Sequence, residues 1–417
     1  MTKTDMINCD IAVIGGGASG LLAAISAARE AEKLNKKLNI RIIEGNPRVG
    51  KKILVTGNGR CNFTNENIKE ENFHGESALA YKIYSEFSNS DTTEFFRSIG
   101  LFPKSDFAGR VYPMSSQATA VLDALRCEAA RLGVEEMTDT KVTSIQKKGD
   151  SFVLNGSICA RKCIIATGGK AAPVQGSDGS GYELVRSLGV KVTPLQPALT
   201  ALICDNFTKA LKGIRAQGTV SIRCAGKVLA QDTGEIQYTD YGLSGIPSMQ
   251  VSRFAANAVY EKKADVFAVV DSCPSLSDEE LRRILLELIE RNPAMPGELL
   301  LSGLIPKRLG ITLLSDCSVN CSKEIGKIHP AVTEKIVQAV KRKKYKVSSV
   351  RGFNDAQVTA GGIPAAEIDP DTLGLKKAKG IYVSGEIIDV DGDCGGYNLQ
   401  WAWSSGYVAG INAVREI

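Results

Sequence analysis

The run Cys9-Asp-Ile-Ala-Val-Ile14, followed at once by Gly15-x-Gly17-x-x-Gly20 and an alanine- and leucine-rich stretch, constrains the fold more than any other part of this chain. An apolar run of that length reads as a strand covered on both faces, as in a parallel sheet flanked by helices. Gly15 permits the tight turn, Gly17 lets backbone approach a pyrophosphate, and Gly20 allows a helix to pack closely on the strand. Residues 18–31 contain no proline, so a helix follows directly, and its first turn, with Ala18 and Ser19, offers free N–H groups and a positive dipole end to a phosphate. A second short strand, Asn39-Ile-Arg-Ile-Ile-Glu44, then ends in a carboxylate. Glu44 lies 24 residues beyond Gly20, near the spacing of the acid that binds ribose hydroxyls. Such an acid fits FAD, or NAD rather than NADP, because it repels a 2′-phosphate. FAD is favoured, since no second complete Gly-x-Gly-x-x-Gly is present for a separate nicotinamide domain.

At 417 residues two or three domains are expected. The eleven cysteines are scattered without a Cys-x-x-Cys pair, and Met1-Thr-Lys-Thr-Asp5 is short and polar. Free thiols in a reducing cytoplasm are the expectation. No apolar run approaches the ~20 residues that span a bilayer. A formal charge of +5 suits an anionic cofactor or substrate and does not call for nucleic acid. The two histidines, His74 and His329, stand in unremarkable contexts, which argues against a Ser/His/Asp triad or a zinc site.

Residues 45–65 are rich in glycine, lysine, arginine and asparagine, a polar loop able to wrap phosphates and the edge of a flavin ring. Lys141–Ile145 and Ser151–Leu154 read as a hairpin, and Arg161–Gly169 as an apolar strand ending in two glycines. Near the other terminus, Ile381-Tyr-Val-Ser-Gly385 is a strand with Glu386 at its carboxyl edge, where α/β ligands bind. Gly395-Gly-Tyr-Asn-Leu-Gln400 opens a helix rich in small residues. Asp389, Asp391 and Asp393 alternate but lack the remaining ligands of a calcium loop, so no metal is assigned.

Several of these segments resemble one family. Lys51-Lys52-Ile-Leu54 with Thr56-Gly-Asn-Gly-Arg-Cys-Asn-Phe-Thr-Asn65, Gly109-Arg-Val-Tyr-Pro113, Ile164-Ile-Ala-Thr-Gly-Gly169, Gly242-Leu-Ser-Gly245 and Gly385-Glu-Ile-Ile-Asp-Val-Asp-Gly392 are similar to the BaiN-like NAD(P)/FAD-dependent oxidoreductases. These are also known as aminoacetone oxidase family FAD-binding enzymes or 3-dehydro-bile acid delta(4,6)-reductase-like flavoproteins. The resemblance implies an α/β fold: a glutathione-reductase-like, Rossmann-type FAD domain with an inserted small β-barrel and a helical insert. It also implies FAD contacts from Gly15, Gly17, Ala18, Ser19, Gly20, Glu44, Lys52, Gly57, Asn58, Gly59, Arg60, Cys61 and Asn62. Further contacts are implied from Val142, Ala166, Thr167, Gly168, Gly385, Glu386, Gly396, Asn398 and Leu399. Cys61 has no second cysteine at short spacing, so a dithiol mechanism is not expected and packing beside the flavin is.

The expected organisation is FAD domain 1–192, β-rich domain 193–274, helical insert 275–344, a returning strand 345–356 and the FAD domain again at 357–417. Ser277-Asp-Glu-Glu280 is a capping box ahead of a helix. The basic run Lys341-Arg-Lys-Lys-Tyr-Lys346 reads as a solvated helix end.

Chemistry would come from the flavin, reduced by NADH or NADPH, with a small organic acceptor such as an enone. Many relatives carry a histidine where this chain reads Tyr238-Thr-Asp-Tyr-Gly-Leu-Ser-Gly245. The proton-donor candidates here are therefore Asp240, Tyr241 and Tyr112. A flavin-dependent RNA-modifying protein and an oxidase passing electrons to oxygen are the alternatives. A small-molecule substrate is the expected partner, with neither nucleic acid nor membrane; the oligomeric state is not legible.

Overall fold

A computed structural model describes residues 6–261 and 264–417; the polar segment Met1–Asp5 lies outside the described residues. The chain divides into two compact units, residues 1–196 with 357–417, and residues 197–356.

The first unit begins with β1 (Ile7–Ile14), helix α1 (Ala18–Lys33) and β2 (Ile40–Ile43). Then come β3 (Glu135–Met137), β4 (Ile145–Lys148), β5 (Ser151–Leu154) and β6 (Ile158–Ile165). Ile11, Ala12, Val13 and Ile14 are all buried, which accounts for the unbroken apolar run. The hairpin strand starts at Ile145 rather than Lys141. Asn155 Oδ1 accepts from the N–H groups of Thr143 and Ser144, while its Nδ2 donates to the Lys141 carbonyl, so this backbone bonds to a side chain instead of a ladder.

The second unit contains β7 (Leu202–Cys204), β8 (Arg215–Cys224), β9 (Lys227–Tyr238), β10 (Gly242–Ser244), β11 (Val266–Asp271) and, after three helices, β12 (Lys343–Val350). They close into a barrel in the order β7-β10-β9-β8-β11-β12. Along β8, Ala216, Val220 and Ile222 are buried while Arg215, Gln217 and Arg223 are exposed, the period-two signature of a barrel wall. The helices are α2 (Asp278–Arg291), α3 (Lys307–Asp316) and α4 (Pro330–Lys341). Ser277 caps α2 by accepting from the Glu280 N–H, and Glu280 reaches back to the Ser277 N–H. The basic run is not a solvated helix end. Only Lys341 belongs to α4, where it is buried against Asp271 at 2.6 Å, and Lys343–Lys346 opens β12 with Tyr345 pointing into the core.

The chain re-enters the first unit to form β13 (Ile381–Val383) and α5 (Tyr397–Arg415). β6 pairs in parallel with β1 along one edge. Its other edge pairs with β5 over Ile158–Ala160 and with β13 over Cys163–Ile165. The two ends of the chain therefore flank one central strand. α5 lies directly on α1. A Cβ on Gly406 would come within 2.5 Å of the Ser19 carbonyl oxygen, and one on Gly410 would overlap that of Ala23. No helix among the described residues is long and apolar enough to cross a membrane.

Candidate functional site

The carboxyl ends of β1, β6 and β13 converge, and the local chemistry of the glycines explains how. A Cβ on Gly15 would lie 2.5 Å from the Ala166 carbonyl oxygen, and one on Gly20 would overlap the carbonyl of Gly15. Gly17 differs, since no protein atom lies within 4 Å of where its Cβ would be. The first two glycines thus serve packing, whereas Gly17 presents bare backbone to open space. α1 has Gly17 as N-cap without a side-chain cap, so the N–H groups of Ala18, Ser19 and Gly20 remain for an anion.

Glu44 sits at the end of β2, nearly buried. Its Oε2 accepts from the Gly16 N–H at 2.8 Å, and its Oε1 accepts from the backbone and side-chain N–H groups of Asn46 at 2.8 and 2.6 Å. These bonds fix the carboxylate beside the glycine turn. The segment leading to Val142 runs alongside, with the Thr140 N–H donating to the Glu44 carbonyl.

Residues 56–62 wind tightly. Gly57, Asn58, Gly59 and Cys61 all have positive φ, and the Cys61 N–H donates to the Thr56 carbonyl. Cys61 is fully buried, and that burial pushes its thiol up to about 12. It is no thiolate nucleophile at neutral pH. The Arg60 guanidinium lies over the Tyr112 ring, 4.9 Å from its centroid. Lys52 leaves this loop to meet Glu386, Nζ to Oε2 2.9 Å, and also donates to the Ala171 carbonyl.

The C-terminal side is equally committed. Glu386 Oε1 accepts from the Thr359 N–H, and Thr359 Oγ1 accepts from the N–H groups of Lys170 and Ala171. Gly385 donates its N–H to Ser405 and accepts from Trp401 Nε1, and a Cβ there would lie 2.5 Å from Ser19 Oγ. Gly396 caps α5 without a side chain, which leaves the N–H groups of Tyr397, Asn398 and Leu399 unbonded within the helix. The Asn398 amide is spent on the Gly392 backbone through both its atoms, so it offers a ligand only its N–H. Ala166, Thr167 and Gly168 follow β6 at the same edge. Two buried oxygens here lack a hydrogen-bond partner among the described residues, Asn62 Oδ1 and Thr167 Oγ1. Unpartnered buried acceptors beside an open glycine turn and two uncapped helix starts are what a long cofactor with phosphates and a hydrogen-bonding ring would satisfy. The residues present fit FAD.

The three proton-donor candidates separate. Tyr112 lies in this unit, 3.5 Å from where a Gly57 Cβ would be. Tyr241 is in the barrel unit with the Arg351 guanidinium 5.1 Å from its ring centroid. Asp240, also in the barrel unit, pairs with Lys212 at 2.8 Å, and that hydrogen bond holds its carboxyl below the usual carboxylate range.

Sequence reasoning missed Thr359, Trp401 and Ser405. Trp401 and Ser405 stand one helical turn apart, a spacing that was available. His74, whose sequence context is unremarkable, has its Nε2 2.8 Å from Asp393 Oδ1. Asp389 instead accepts from Thr193 and Gly361, so Asp389 and Asp393 serve separate partners.

The profile of the HI0933-like protein Rossmann domain matches residues 9–412. The chain is 41% identical over 412 residues to the 3-dehydro-bile acid delta(4,6)-reductase of Clostridium scindens, covering 97% of this chain and 99% of that protein. It is 26% identical over 418 residues to the ribosomal RNA dihydrouridine synthase of Haemophilus influenzae, covering 97% and 98%. Among solved structures, the open conformation of a flavocytochrome c3 fumarate reductase shares its fold, with a TM-score of 0.50 and 14% identity over 99% of this chain and 79% of that one. The chain belongs to the HI0933-like Rossmann family and is an FAD-dependent oxidoreductase.

Proposed function

We propose that the protein takes reducing equivalents from NADH or NADPH and uses them to saturate a carbon–carbon double bond conjugated to a carbonyl in a small organic acceptor. The observation that carries this reading is the meeting of both chain ends at one sheet edge, where Ser19 touches Gly385 and Lys52 pairs with Glu386. The 41% identity to a delta(4,6)-reductase supports the choice of acceptor. FAD, when bound, supplies hydride transfer in both directions.

The chain's own residues bind and orient. Glu44, fixed by Gly16 and Asn46, accepts from ribose hydroxyls. Gly15, Gly17, Ala18, Ser19 and Gly20 present backbone to the pyrophosphate. Val142 would border the adenine, and Lys52 with the loop Gly57-Asn58-Gly59-Arg60-Cys61-Asn62 would hold the ring edge, with the unpartnered Asn62 Oδ1 available to it. Ala166, Thr167 and Gly168 line the middle, and Gly385, Glu386, Gly396, Asn398 and Leu399 close the far side. Tyr112, beside that loop, donates the proton that completes saturation, its phenol becoming a phenolate faced by the Arg60 guanidinium.

Stopped-flow mixing of the purified holoprotein with NADH and then NADPH, followed by an enone screen, tests the reading. Flavin bleaching by a nicotinamide and recovery of colour on adding an enone is the expected result. Absence of bleaching by either nicotinamide defeats the donor assignment.

The 26% identity to a ribosomal RNA dihydrouridine synthase favours a second reading, in which the same conjugated bond belongs to a uracil ring. Dihydrouridine formed in RNA, with no turnover of free enones, would select it.

A further inference from the structure

The outer wall of the barrel carries a groove that the FAD chemistry leaves unused. Strand pairing sets Arg223 of β8 opposite Phe267 of β11, and Phe267 opposite Lys346 of β12. In the next outward row Ser221 faces Val269, and Val269 faces Lys344. Ile222, Ala268 and Tyr345, the alternating residues, are buried in the barrel. The outward row therefore has an apolar centre, Phe267 and Val269, with cations on both neighbouring strands. A cavity of about 480 Å³ lies over it, walled by Arg223, Phe267, Val269, Arg342, Lys344 and Asp265. That volume falls in the range of small-ligand sites.

The charges around the groove are unevenly matched. Arg342 binds both carboxylate oxygens of Asp278, at 2.7 and 3.2 Å. Lys346 pairs with Asp265 at 2.8 Å. Arg223 and Lys344 have no carboxylate partner among the described residues, although each overhangs the apolar floor from one side of β11. Arg223 is level with Phe267 and Lys344 with Val269, so the two unmatched cations stand on opposite sides of β11, one outward row apart. A planar apolar body carrying a phosphate meets all three features. The ring lies on Phe267, its apolar face is covered by the floor, and the anion falls to whichever free cation it reaches. An acyl chain would leave both cations unmatched along most of its length.

We infer that this groove binds a nucleoside phosphate, its base stacked on Phe267 and its phosphate held by Arg223 or Lys344. The nucleotide can be free or part of an RNA strand; the chemistry recognised is the same. The inference concerns a site in the barrel unit and stands apart from the acceptor proposed above.

The test uses the full chain saturated with FAD, so that the adenosine site of the cofactor is already filled. The probes are AMP, adenosine and a fluorescein-labelled oligouridylate of twelve residues. AMP or the oligomer should bind saturably, and adenosine at least tenfold more weakly than AMP. Phe267→Leu, which keeps the apolar strand position and removes the stacking face, should weaken binding about tenfold. Arg223→Glu with Lys344→Glu, both at exposed positions, should weaken it at least as much, while the far-ultraviolet circular dichroism stays that of the parent. An oligomer that binds more tightly than AMP, with a log–log salt slope of about −1.4 for two phosphates, identifies a strand as the source. Equal affinities with mutual competition identify the free nucleotide. Failure of both AMP and the oligomer to bind, or binding indifferent to all three substitutions, overturns the inference.

Discussion

Lys52 and Glu386, 334 positions apart in the chain, form an ion pair of 2.9 Å in which both side chains are mostly shielded from solvent. The contact ties the loop after β2 to the turn after β13, and its carboxylate also anchors Thr359. Removing one partner strands a half-buried charge, which costs more than the pair itself contributes. Lys52→Met should therefore weaken FAD binding about tenfold, equivalent to about 1.4 kcal/mol, when flavin fluorescence is titrated against apoprotein. Glu386→Gln, which keeps an acceptor for the Thr359 N–H, should lose less. Unchanged affinity in both variants would take the pair out of the cofactor site.

The glycines of the first turn differ in what surrounds them. Gly17→Ala adds a methyl that meets no protein atom, whereas Gly20→Ala drives one into the Gly15 carbonyl. The apoprotein melting temperature should hold for the first and fall for the second by an amount corresponding to about 1–3 kcal/mol. FAD affinity should fall in both. A destabilised Gly17→Ala apoprotein would contradict the open geometry.

Burial raises the thiols of Cys61 and Cys204 from 9.0 to about 12. In each case the folded state holds the proton more tightly than the unfolded chain. Their contribution is thus intact below about pH 9 and is lost as pH climbs toward 12. Denaturant midpoints in reducing buffer should be level from pH 7 to 8.5 and fall above pH 9, with a limiting slope of about 1.4 kcal/mol per pH unit for each such thiol. Cys61→Ala should show a shallower decline. A midpoint that rises through this range would refute the assignment.

Substitutions at Tyr112 and at Asp240 should have different effects. Tyr112→Phe is expected to leave flavin reduction by nicotinamide intact and to slow reoxidation by an enone about 100-fold. Asp240→Asn loosens an exposed surface pair with Lys212, so both half-reactions should stay within about twofold of the parent. Equal rates for Tyr112→Phe would exclude Tyr112 as the donor and favour Tyr241.

The parts of this architecture that were legible in the sequence are those with local repeats. β1, its glycine turn, α1, β2 and Glu44 follow one another within a single βαβ unit, and each is marked by composition. α2 announced itself through its capping box, Ser277 to Glu280. What escaped depends on distant partners. Thr359 meets Glu386 across a turn, and His74 meets Asp393 where the three-residue strands Phe73–Gly75 and Val390–Gly392 pair. Strands that short carry no periodic pattern. The run at 341–346 misled because its lysines read as charge, while the buried Tyr345 between them was the sign of a strand.

The late placement of β13 has a consequence for biosynthesis. While the barrel unit is being translated, the edge of β6 at Cys163–Ile165 has no neighbour, because Ile381–Val383 has not yet emerged from the ribosome. An apolar parallel strand with a bare edge is an invitation to aggregate. Stalled nascent chains ending before residue 381 should accordingly be captured by chaperones, and those extending past α5 should be released.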